Sequence, residues 1–397
     1  MKCVFRKLVS TTMIMLFLLP TWIVGAEEVE PDTTKETKGV EVVAPSTILM
    51  EISTGTVICE KNADEQLPPA SVTKVMTLLL IFDALNAGTI TLEEEVTVSD
   101  FAASMGGSQV FLEPGEKQTV DTMIKCITVA SANDACVAMA ELICGTEEEF
   151  VKQMNQRAKG LGMTKTHFVN CNGLDVDGHV TTARDIGLMS CELMTLYPQI
   201  QEYTMIWMED ITHVTKKGSS PFGLTNTNKL VRHYEYTTGL KTGSTSKAKF
   251  CISATGKKDD VELVAVIMGA PTSKERTRDA IALLNHGFAN CVKYKEKGVL
   301  VFPEIPIRKG RSPVIKGECP TPFTYIDTTG TDLTKIEKKT VIQEELTAPI
   351  EKGTEIGELQ YYINGTLLGS SKIVAAEEAP TMNFWCAIKQ IFSDYLL

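Results

Sequence analysis

Hydrophobic residues follow two spacings along the chain, and each spacing predicts a different kind of element. Residues 46–60 alternate between apolar and polar positions around a Ser-Thr-Gly turn, which predicts a β-hairpin. A nearly continuous apolar run over 71–85 follows two prolines and predicts a buried helix. Further patterns predict helices over 120–144, 147–161 and 273–292 and a buried strand over 263–268. Strands at both ends of a helical middle favour an α+β fold of packed layers.

The pattern changes near residue 293. Short alternating segments at 299–302, 340–343 and 358–363 are separated by Gly and Pro, as in small β structures. A disordered linker is the alternative, but the regular hydrophobicity of these segments argues against it. We therefore expect two domains, a large one over 45–292 that carries the candidate catalytic residues and a small all-β domain over 293–378.

The last residues of the chain, 382–397, form an amphipathic pattern. One helical face collects the apolar side chains, which are Phe384, Trp385, Ile388, Ile391, Phe392, Tyr395 and Leu396. A helix of this kind lies on a membrane surface with its apolar face in the lipid. A helix that packs on its own protein is the alternative, and the many aromatic residues favour the membrane.

The first residues have the features of a secretory signal. Lys2, Arg6 and Lys7 precede an apolar run over 12–24, and Gly25 and Ala26 supply a small-residue cleavage site. A retained anchor is less favoured because the run is shorter than the roughly 20 residues that a spanning helix needs. We expect a signal peptide over 1–26, a flexible leader over 27–44, and an exported protein at the outer face of the cytoplasmic membrane or in the cell wall.

Charge and composition exclude several classes of function. Without the three basic residues of the signal, 36 of the 39 basic residues remain against 50 acidic ones, so nucleic acid is not an expected partner. The eleven cysteines are scattered without a CxxC pair, and we expect most of them to be reduced core residues. The five histidines lack metal-ligand spacing, so neither a metal nor another cofactor is expected.

The strongest candidate for chemistry is Ser71-Val72-Thr73-Lys74, at the start of the buried helix. Residues three apart share a helical face, so the hydroxyl and the amine can touch. Burial lowers the pKa of a lysine, and a neutral amine can take the serine proton. The pattern is weak alone, because about one Ser-x-x-Lys match is expected by chance in a chain of this length.

Two further motifs follow in the chain. Ser131-Ala132-Asn133 lies in a predicted turn between helical stretches, where a hydroxyl can relay a proton and an amide can bind a peptide backbone. Lys241-Thr242-Gly243 leads into a predicted strand, where Lys and Thr can hold a carboxylate and Gly leaves room for a ligand. Taken singly, the Ser131 motif is better explained as an ordinary N-cap, and a plain turn before a strand is the alternative for the Lys241 motif.

The order of the three motifs resembles the penicillin-recognising serine enzymes, whose boxes are S-x-x-K, S-x-N and K-T-G. The resemblance to the low-molecular-mass serine-type D-Ala-D-Ala carboxypeptidases covers about 46–291, including GGSQVFLEPGE at 106–116 and NTNKL at 226–230. Residues 348–353 resemble the C-terminal β domain of that family. The implied fold is a transpeptidase/β-lactamase-like domain, with an antiparallel sheet and a helical subdomain, followed by the small all-β domain.

The resemblance implies a reaction and a set of catalytic residues. The enzyme would remove the terminal D-alanine from peptidoglycan stem peptides through an acyl-ester on Ser71, and β-lactam antibiotics would be covalent inhibitors. Lys74 would accept the serine proton and Ser131 would complete the proton relay. The backbone N–H groups of Ser71 and Ser244 would form the oxyanion hole.

The resemblance also implies how the substrate is held. Asn133 would hold the substrate peptide, while Lys241 and Thr242 would bind the terminal carboxylate beside Gly243. One departure is visible, because this chain has Ala248-Lys249 where the family usually has Ala-Gly. It concerns local strand packing or substrate preference and leaves the reaction itself unaffected.

Three other functions remain open. A D-Ala-D-Ala endopeptidase would use the same residues, and the extra β domain favours the carboxypeptidase. A class A β-lactamase would carry a Glu-x-x-x-Asn loop, but residues 170–179 contain no glutamate. A wall-binding protein without activity would not need Ser71, Lys74, Ser131 and Lys241 together.

Overall fold

The structure is a computed structural model that describes residues 39–395. Its strands are β1 (Ser46–Glu51), β2 (Val57–Lys61), β3 (Glu95–Thr97), β4 (Lys117–Thr119), β5 (Met208–Thr215), β6 (Gly218–Thr225), β7 (Thr237–Thr245), β8 (Lys249–Lys258), β9 (Val261–Ala270), β10 (Val292–Lys295), β11 (Leu300–Pro306), β12 (Val314–Cys319), β13 (Thr324–Asp327), β14 (Glu337–Ile342), β15 (Glu355–Ile363) and β16 (Thr366–Ala375). Its helices are α1 (Lys74–Asn86), α2 (Asp100–Ala103), α3 (Val120–Thr128), α4 (Asn133–Cys144), α5 (Glu147–Gly160), α6 (Ala183–Leu196), α7 (Ile200–Thr204), α8 (Leu230–His233), α9 (Ser273–Asn290) and α10 (Phe384–Tyr395). The signal peptide over 1–26 and the leader up to residue 38 lie outside the described residues.

A five-stranded antiparallel sheet forms the centre, in the order β2-β1-β9-β8-β7. Successive residues of β9 point to opposite faces, so Val264 and Val266 lie on the side of α6 while Leu263 and Ala265 lie on the side of α9. Both faces of the sheet are therefore covered. The predicted hairpin, the buried strand and the closing helix are confirmed, and so is the α+β fold.

The helical part lies between β2 and β7 in the chain and packs on one face of the sheet. The periodicity over 120–144 divides into α3 and α4, with Ser131 in the left-handed backbone region at φ 61° between them. The predicted turn at this motif is confirmed. Thr119 and Thr146 cap α3 and α5 by accepting N–H bonds with their side chains, which fixes where each helix begins.

A second antiparallel sheet follows α9, in the order β11-β12-β16-β15-β14. Its small core includes the fully buried Tyr361, which stacks on Phe323 with ring centroids 3.9 Å apart. The predicted all-β module is therefore confirmed, while its boundaries at 293 and 378 stay predictions.

The start of the second part is fastened to the central sheet. Lys293 of β10 lies 2.7 Å from Glu51, the last residue of β1, and their side chains are 11% and 0% exposed. Ile326 of β13 belongs to the same apolar cluster as α9. The segment before β1 is also fastened to α9. The buried Asp279 carboxylate of that helix accepts hydrogen bonds from the backbone N–H groups of Val43 and Ala44, both at 2.8 Å.

Ten cysteines fall within the described residues, and all ten are free thiols. Eight of them are buried, which confirms the expectation of reduced core residues for residues 39–395. Burial raises the pKa of the Cys136 thiol to about 12, so it stays protonated.

The predicted terminal helix is confirmed as α10 over the residues that are described. Three of its aromatic side chains are open to solvent, with Phe384 71%, Trp385 75% and Phe392 60% exposed. Within residues 39–395, no helix combines the length and the apolar character needed to cross a membrane.

Candidate active site

The three sequence motifs meet at one cavity of about 170 Å³. It is lined by Ser71, Ser108, Ser131, Thr227, Thr242, Gly243, Ser244, Phe250, Ser273 and Arg276. Five of the eight predicted site residues therefore line it directly. The other three, Lys74, Asn133 and Lys241, lie behind its wall, where the fold buries them almost completely.

Ser71 lies on a short 3₁₀ turn (Ala70–Thr73), and α1 begins only at Lys74. The prediction of an α-helix from residue 71 is thus wrong by one turn. Its central inference holds, because Lys74 Nζ is 3.0 Å from Ser71 Oγ. The 3₁₀ turn keeps residues three apart on one side, as the α-helix would.

The Lys74 amine has three neighbours, all of them oxygen atoms. Besides Ser71 Oγ, it lies 2.6 Å from Asn133 Oδ1 and 2.6 Å from the Asn172 carbonyl. The latter two can only accept hydrogen bonds. A neutral amine has two N–H groups for these acceptors and one lone pair, which is left for the Ser71 proton.

The electrostatic surroundings favour that neutral amine. Lys74 is fully buried and forms no ion pair with any described residue. Desolvation lowers the pKa of Lys74 below its usual value, because burial penalises the charged form. The geometry and the charge of the site therefore both prepare Lys74 to accept a proton.

The segment 170–174 places the Asn172 carbonyl, and sequence analysis did not foresee this contact. Gly173 has φ +89°, and a Cβ atom there would lie 1.9 Å from the Ala70 carbonyl oxygen. Glycine is thus required for the segment to press against the Ser71 turn. A backbone carbonyl has no signature in the sequence, so only the fold reveals this partner of Lys74.

Ser131 and Asn133 approach from the turn before α4. Ser131 Oγ is buried and has no hydrogen-bond partner among the described residues. Asn133 is fixed at both ends, since its Nδ2 donates to the Gly106 carbonyl at 2.7 Å and its backbone N–H donates to the Ser108 carbonyl at 2.7 Å. The unpaired Ser131 hydroxyl is available to a group that enters the cavity.

The third motif lies on β7, the edge strand of the central sheet. Lys241 is fully buried, and its Nζ donates to the Thr242 carbonyl at 2.9 Å. Desolvation lowers the pKa of Lys241 well below its usual value. A Cβ at Gly243 would lie 2.8 Å from the Ser71 backbone nitrogen, so the strand and the 3₁₀ turn are in close contact.

Sequence analysis also missed Arg276, on α9. Its guanidinium lines the cavity and lies 5.9 Å from the ring centre of Phe250, while the residue is only 6% exposed. Its Nη1 donates to the Cys251 carbonyl at 3.4 Å and its Nη2 to Ser273 Oγ at 3.2 Å, while Nε has no hydrogen-bond partner and the group forms no ion pair within the described residues. Desolvation lowers the pKa of Arg276 from a very high value. This cation is oriented toward the cavity without a counter-ion.

The lining of the cavity carries several hydroxyl groups and one cation, the Arg276 guanidinium, and no carboxylate. Within residues 39–395, no three His, Cys, Asp or Glu side chains lie close enough together to hold a metal ion. The arrangement supports nucleophilic attack by Ser71, with an amine as base and a cation for an anionic substrate.

Comparisons with known proteins identify the family of the chain. Residues 32–272 match the D-alanyl-D-alanine carboxypeptidase family, and residues 292–381 match the C-terminal domain of penicillin-binding protein 5. D-alanyl-D-alanine carboxypeptidase DacF of Bacillus subtilis is 38% identical over 393 residues, which cover 98% of this chain and 99% of the relative. DacC of Escherichia coli is 30% identical over 96% of this chain and 93% of its own length.

Solved structures lead to the same family. Penicillin-binding protein 5 from Haemophilus influenzae superposes with a TM-score of 0.74 at 27% identity, covering 86% of this chain and 98% of its own. The Streptomyces K15 DD-transpeptidase has a TM-score of 0.58 at 26% identity and covers 63% of this chain and 98% of its own. The chain belongs to the D-alanyl-D-alanine carboxypeptidase family, the penicillin-binding serine hydrolases that act on the D-Ala-D-Ala ends of peptidoglycan.

Proposed function

We propose that this protein removes the terminal D-alanine from peptidoglycan stem peptides with Ser71 as nucleophile and Lys74 as its base. The observation that carries the proposal is the set of contacts of the Lys74 amine. Two obligate acceptors occupy its N–H groups, and the remaining lone pair faces Ser71 Oγ at 3.0 Å. A protonated lysine in this buried place would have no carboxylate to balance its charge.

In the acylation step, Ser71 Oγ forms a bond to the carbonyl carbon of the last peptide bond, and its proton passes to Lys74 Nζ. The carbonyl oxygen becomes negative and accepts hydrogen bonds from the backbone N–H groups of Ser71 and Ser244. Removing one such donor typically raises the activation free energy by about 3 kcal/mol. The C–N bond then breaks, and the leaving D-alanine nitrogen takes a proton through Ser131. Ser131 suits this role because its hydroxyl is otherwise unpaired.

In the second step, water attacks the ester and gives its proton to the same amine. The bond between the acyl carbon and Ser71 Oγ breaks, and Ser71 regains a proton. The shortened stem peptide leaves with a new carboxylate. A β-lactam enters the same first step, and its acyl-enzyme persists because its amine stays attached.

The substrate would lie along β7, whose outer edge is unpaired in the sheet order. Asn133 would hold its backbone amide, and Thr242 would receive the terminal carboxylate. Arg276 joins this set because it is a cation at the cavity wall without a counter-ion among the described residues. Lys241 is completely buried and donates to the Thr242 carbonyl, so its contribution is to hold Thr242 in place at the cavity.

The proposal includes export and attachment to a membrane surface. The signal over 1–26 would direct secretion, and the exposed aromatic face of α10 would insert at the outer leaflet of the cytoplasmic membrane. The active site would then work on the cell wall from the membrane surface.

The catalytic assignment is tested with the purified protein and diacetyl-Lys-D-Ala-D-Ala, by measuring free D-alanine. Ser71→Ala should abolish release and labelling by a fluorescent penicillin, with a loss of roughly 10⁴-fold or more. Ser219→Ala, on the exposed β5–β6 hairpin, is the matched control and should keep full activity. Release of D-alanine by the Ser71→Ala protein would refute the assignment.

The membrane assignment is tested by deleting residues 382–397. The shortened protein should no longer sediment with anionic lipid vesicles, while D-alanine release in solution continues. Replacing Lys389 with Gln is a control that keeps the apolar face. Equal sedimentation of the full and shortened proteins would refute the membrane role of α10.

A further inference from the structure

His179 is a buried histidine beside the turn that carries Ser71. It is only 3% exposed, and both of its ring nitrogens have partners. Nδ1 lies 3.0 Å from the backbone nitrogen of Val169 and 3.4 Å from that of Asn170. Nε2 lies 2.8 Å from Thr73 Oγ1, within the 3₁₀ turn. The imidazole therefore joins this turn to a distant stretch of the chain.

The bonds on its two sides fix where the imidazole proton lies. A backbone N–H can only donate, so Nδ1 accepts from Val169 and carries no proton of its own. The proton of the neutral ring is then on Nε2, which donates to Thr73 Oγ1. The Thr73 hydroxyl gives its own proton to the Ala70 carbonyl, 2.8 Å away. One chain of hydrogen bonds thus runs from Val169 through His179 and Thr73 to Ala70.

The Ala70 carbonyl, at the end of this chain of bonds, directly precedes the nucleophile. Ala70 has φ 49°, in the left-handed region that a residue with a side chain seldom adopts. Such a backbone costs free energy and persists only where its surroundings hold it. The Thr73 hydroxyl bonds this carbonyl, and Gly173 packs against it. The direction in which Ser71 leaves the turn therefore depends on the bond from Thr73.

Both elements that His179 joins supply a neighbour of the Lys74 amine. Ser71 belongs to the 3₁₀ turn, and its Oγ is 3.0 Å from Lys74 Nζ. The Asn172 carbonyl follows Asn170 in the other stretch and is 2.6 Å from the same atom. A displacement of about 1 Å between reacting groups can cost on the order of 100-fold in rate. A link that keeps the two elements in register thus bears on the reaction.

The surroundings of the ring keep it neutral. Burial lowers the pKa of His179 from 6.5 to about 4, with a smaller lowering by His167, while Asp175 raises it. Phe168 packs beside the ring, with centroids 5.8 Å apart. A protonated ring would place a second donor against the Val169 N–H, so the network needs the neutral form.

We propose that His179 is a positioning residue, which holds the nucleophile and the Asn172 carbonyl at their distances from Lys74. It acts as a neutral imidazole through the Thr73 hydroxyl and lies outside the lining of the cavity. This inference rests on the proposed roles of Ser71 and Lys74 in the carboxypeptidase reaction.

The first test compares variants of the purified full-length protein. His179→Phe keeps a planar ring and removes both bonds, while His179→Gln keeps one acceptor and one donor. In His179→Phe, kcat for diacetyl-Lys-D-Ala-D-Ala should fall by about 100-fold with KM nearly unchanged, because the groups assigned to bind the substrate lie elsewhere. His179→Gln should restore most of the rate. His167→Phe, at an exposed position of the same stretch, is the matched control and should keep wild-type kinetics.

A double-mutant cycle tests whether the effect passes through Thr73. Thr73→Val removes the hydroxyl and keeps the shape of the side chain, while Thr73→Ser keeps the hydroxyl. Thr73→Val and His179→Phe break the same link, so the double variant should lose little more activity than the weaker single variant. Thr73→Ser should stay close to the wild-type kcat.

The wild-type protein provides a test that does not depend on the folding of a variant. ¹⁵N NMR of the histidine-labelled protein, at a pH about one unit below the usual histidine pKa of 6.5, should show His179 neutral and protonated on Nε2. A charged ring, or a proton on Nδ1, would overturn the inference.

Three kinetic results would also overturn it. A wild-type kcat in His179→Phe would show that the link is not needed, and losses that multiply in the double variant would show that Thr73 is not the route. Equal losses in His179→Phe and His179→Gln, with a lowered melting temperature, would show a structural role only. Failure of the proposed catalytic roles is separable, since Ser71→Ala would then still release D-alanine.

Discussion

The catalytic cavity and the junction at Lys293 both contain basic side chains that are largely removed from solvent, but the two regions differ in the partners they provide. Lys74, Lys241 and Arg276 form no ion pair within residues 39–395, although each is at most 6% exposed. The Lys293 side chain is 11% exposed, and it lies 2.7 Å from the buried carboxylate of Glu51. The cavity leaves its basic groups without a carboxylate partner among the described residues, and the junction supplies one.

The difference separates function from stability. A buried charge without a partner costs free energy, so it persists only where the protein uses it. In the cavity, the free-energy cost of burying a charge lowers the pKa of Lys74. It also lowers the pKa of Arg276, which can bind an anionic substrate because no carboxylate of the described residues is paired with it. At the junction the same cost is offset within the protein, and the result is a fixed connection between β1 and β10.

The largest effect is expected when the junction is made to resemble the cavity. Glu51→Gln leaves Lys293 without a counter-ion, and we expect the free energy of unfolding to fall by about 3–5 kcal/mol. Urea denaturation of the purified protein measures this loss. D-alanine release by the folded fraction should stay near the wild-type rate.

The matched control for that change is Glu345→Gln, which breaks the ion pair with Arg308. Both side chains there are largely exposed, at 70% and 67%, so the expected loss is under about 1 kcal/mol. Equal losses at the two sites would show that burial does not distinguish the pairs.

The second effect is expected when the cavity is made to resemble the junction. Asn133→Asp places a carboxylate where Oδ1 now lies 2.6 Å from Lys74 Nζ. The pKa of Lys74 is lowered in the wild type, so kcat/KM should rise with pH as the amine loses its proton. A neighbouring negative charge raises that pKa, typically by 1–3 units, and the rising limb should move to higher pH by a similar amount.

The pH dependence of penicillin acylation measures the shift directly. A lower rate alone is not informative, because Asn133 is also assigned to substrate binding. Asn133→Ala, which removes the amide without adding charge, is the control and should leave the position of the limb near that of the wild type. If the rising part of the rate-against-pH profile stayed at the wild-type pH in Asn133→Asp, Lys74 would not be the base.

The smallest effect is expected for Arg276→Met. We expect KM for the peptide to rise about tenfold, through the lost charge-assisted hydrogen bonds. The free energy of unfolding should stay the same or increase, because an uncompensated buried cation is removed. Steady-state kinetics and urea denaturation of the same preparation give both values.

Lys274→Met is the control on the same turn of α9, since Lys274 is exposed. It removes one positive charge without touching the cavity and should change neither quantity. A clear loss of stability in Arg276→Met would mean that its packing on Phe250 outweighs the cost of its charge.

The three motifs were visible in the sequence because each places its groups within a few residues. Ser71 and Lys74 stay on one side of their turn whether it is an α-helix or a 3₁₀ turn, so the error in the helix start did not disturb the pairing. The α+β fold was predictable for a similar reason, since β9 and α9 are long and clearly periodic.

The remaining parts of the site depend on contacts between distant segments. Arg276 lies in an ordinary helical stretch, and only the packing of α9 against β8 brings it to the cavity. The Asn172 carbonyl is a backbone group, and the pairing of Thr227 with Thr242 joins residues 15 apart across a loop. Local patterns contain no information about such contacts.

The inner wall of the cavity is closed to side chains at two places. A Cβ at Gly173 would collide with the Ala70 carbonyl at 1.9 Å, and one at Gly243 would lie 2.8 Å from the Ser71 nitrogen. A larger residue at either place would shift the turn that carries Ser71, and with it the nucleophile. We therefore expect substitutions that weaken β-lactam binding while keeping the natural activity to lie at the rim of the cavity, where side chains have more room.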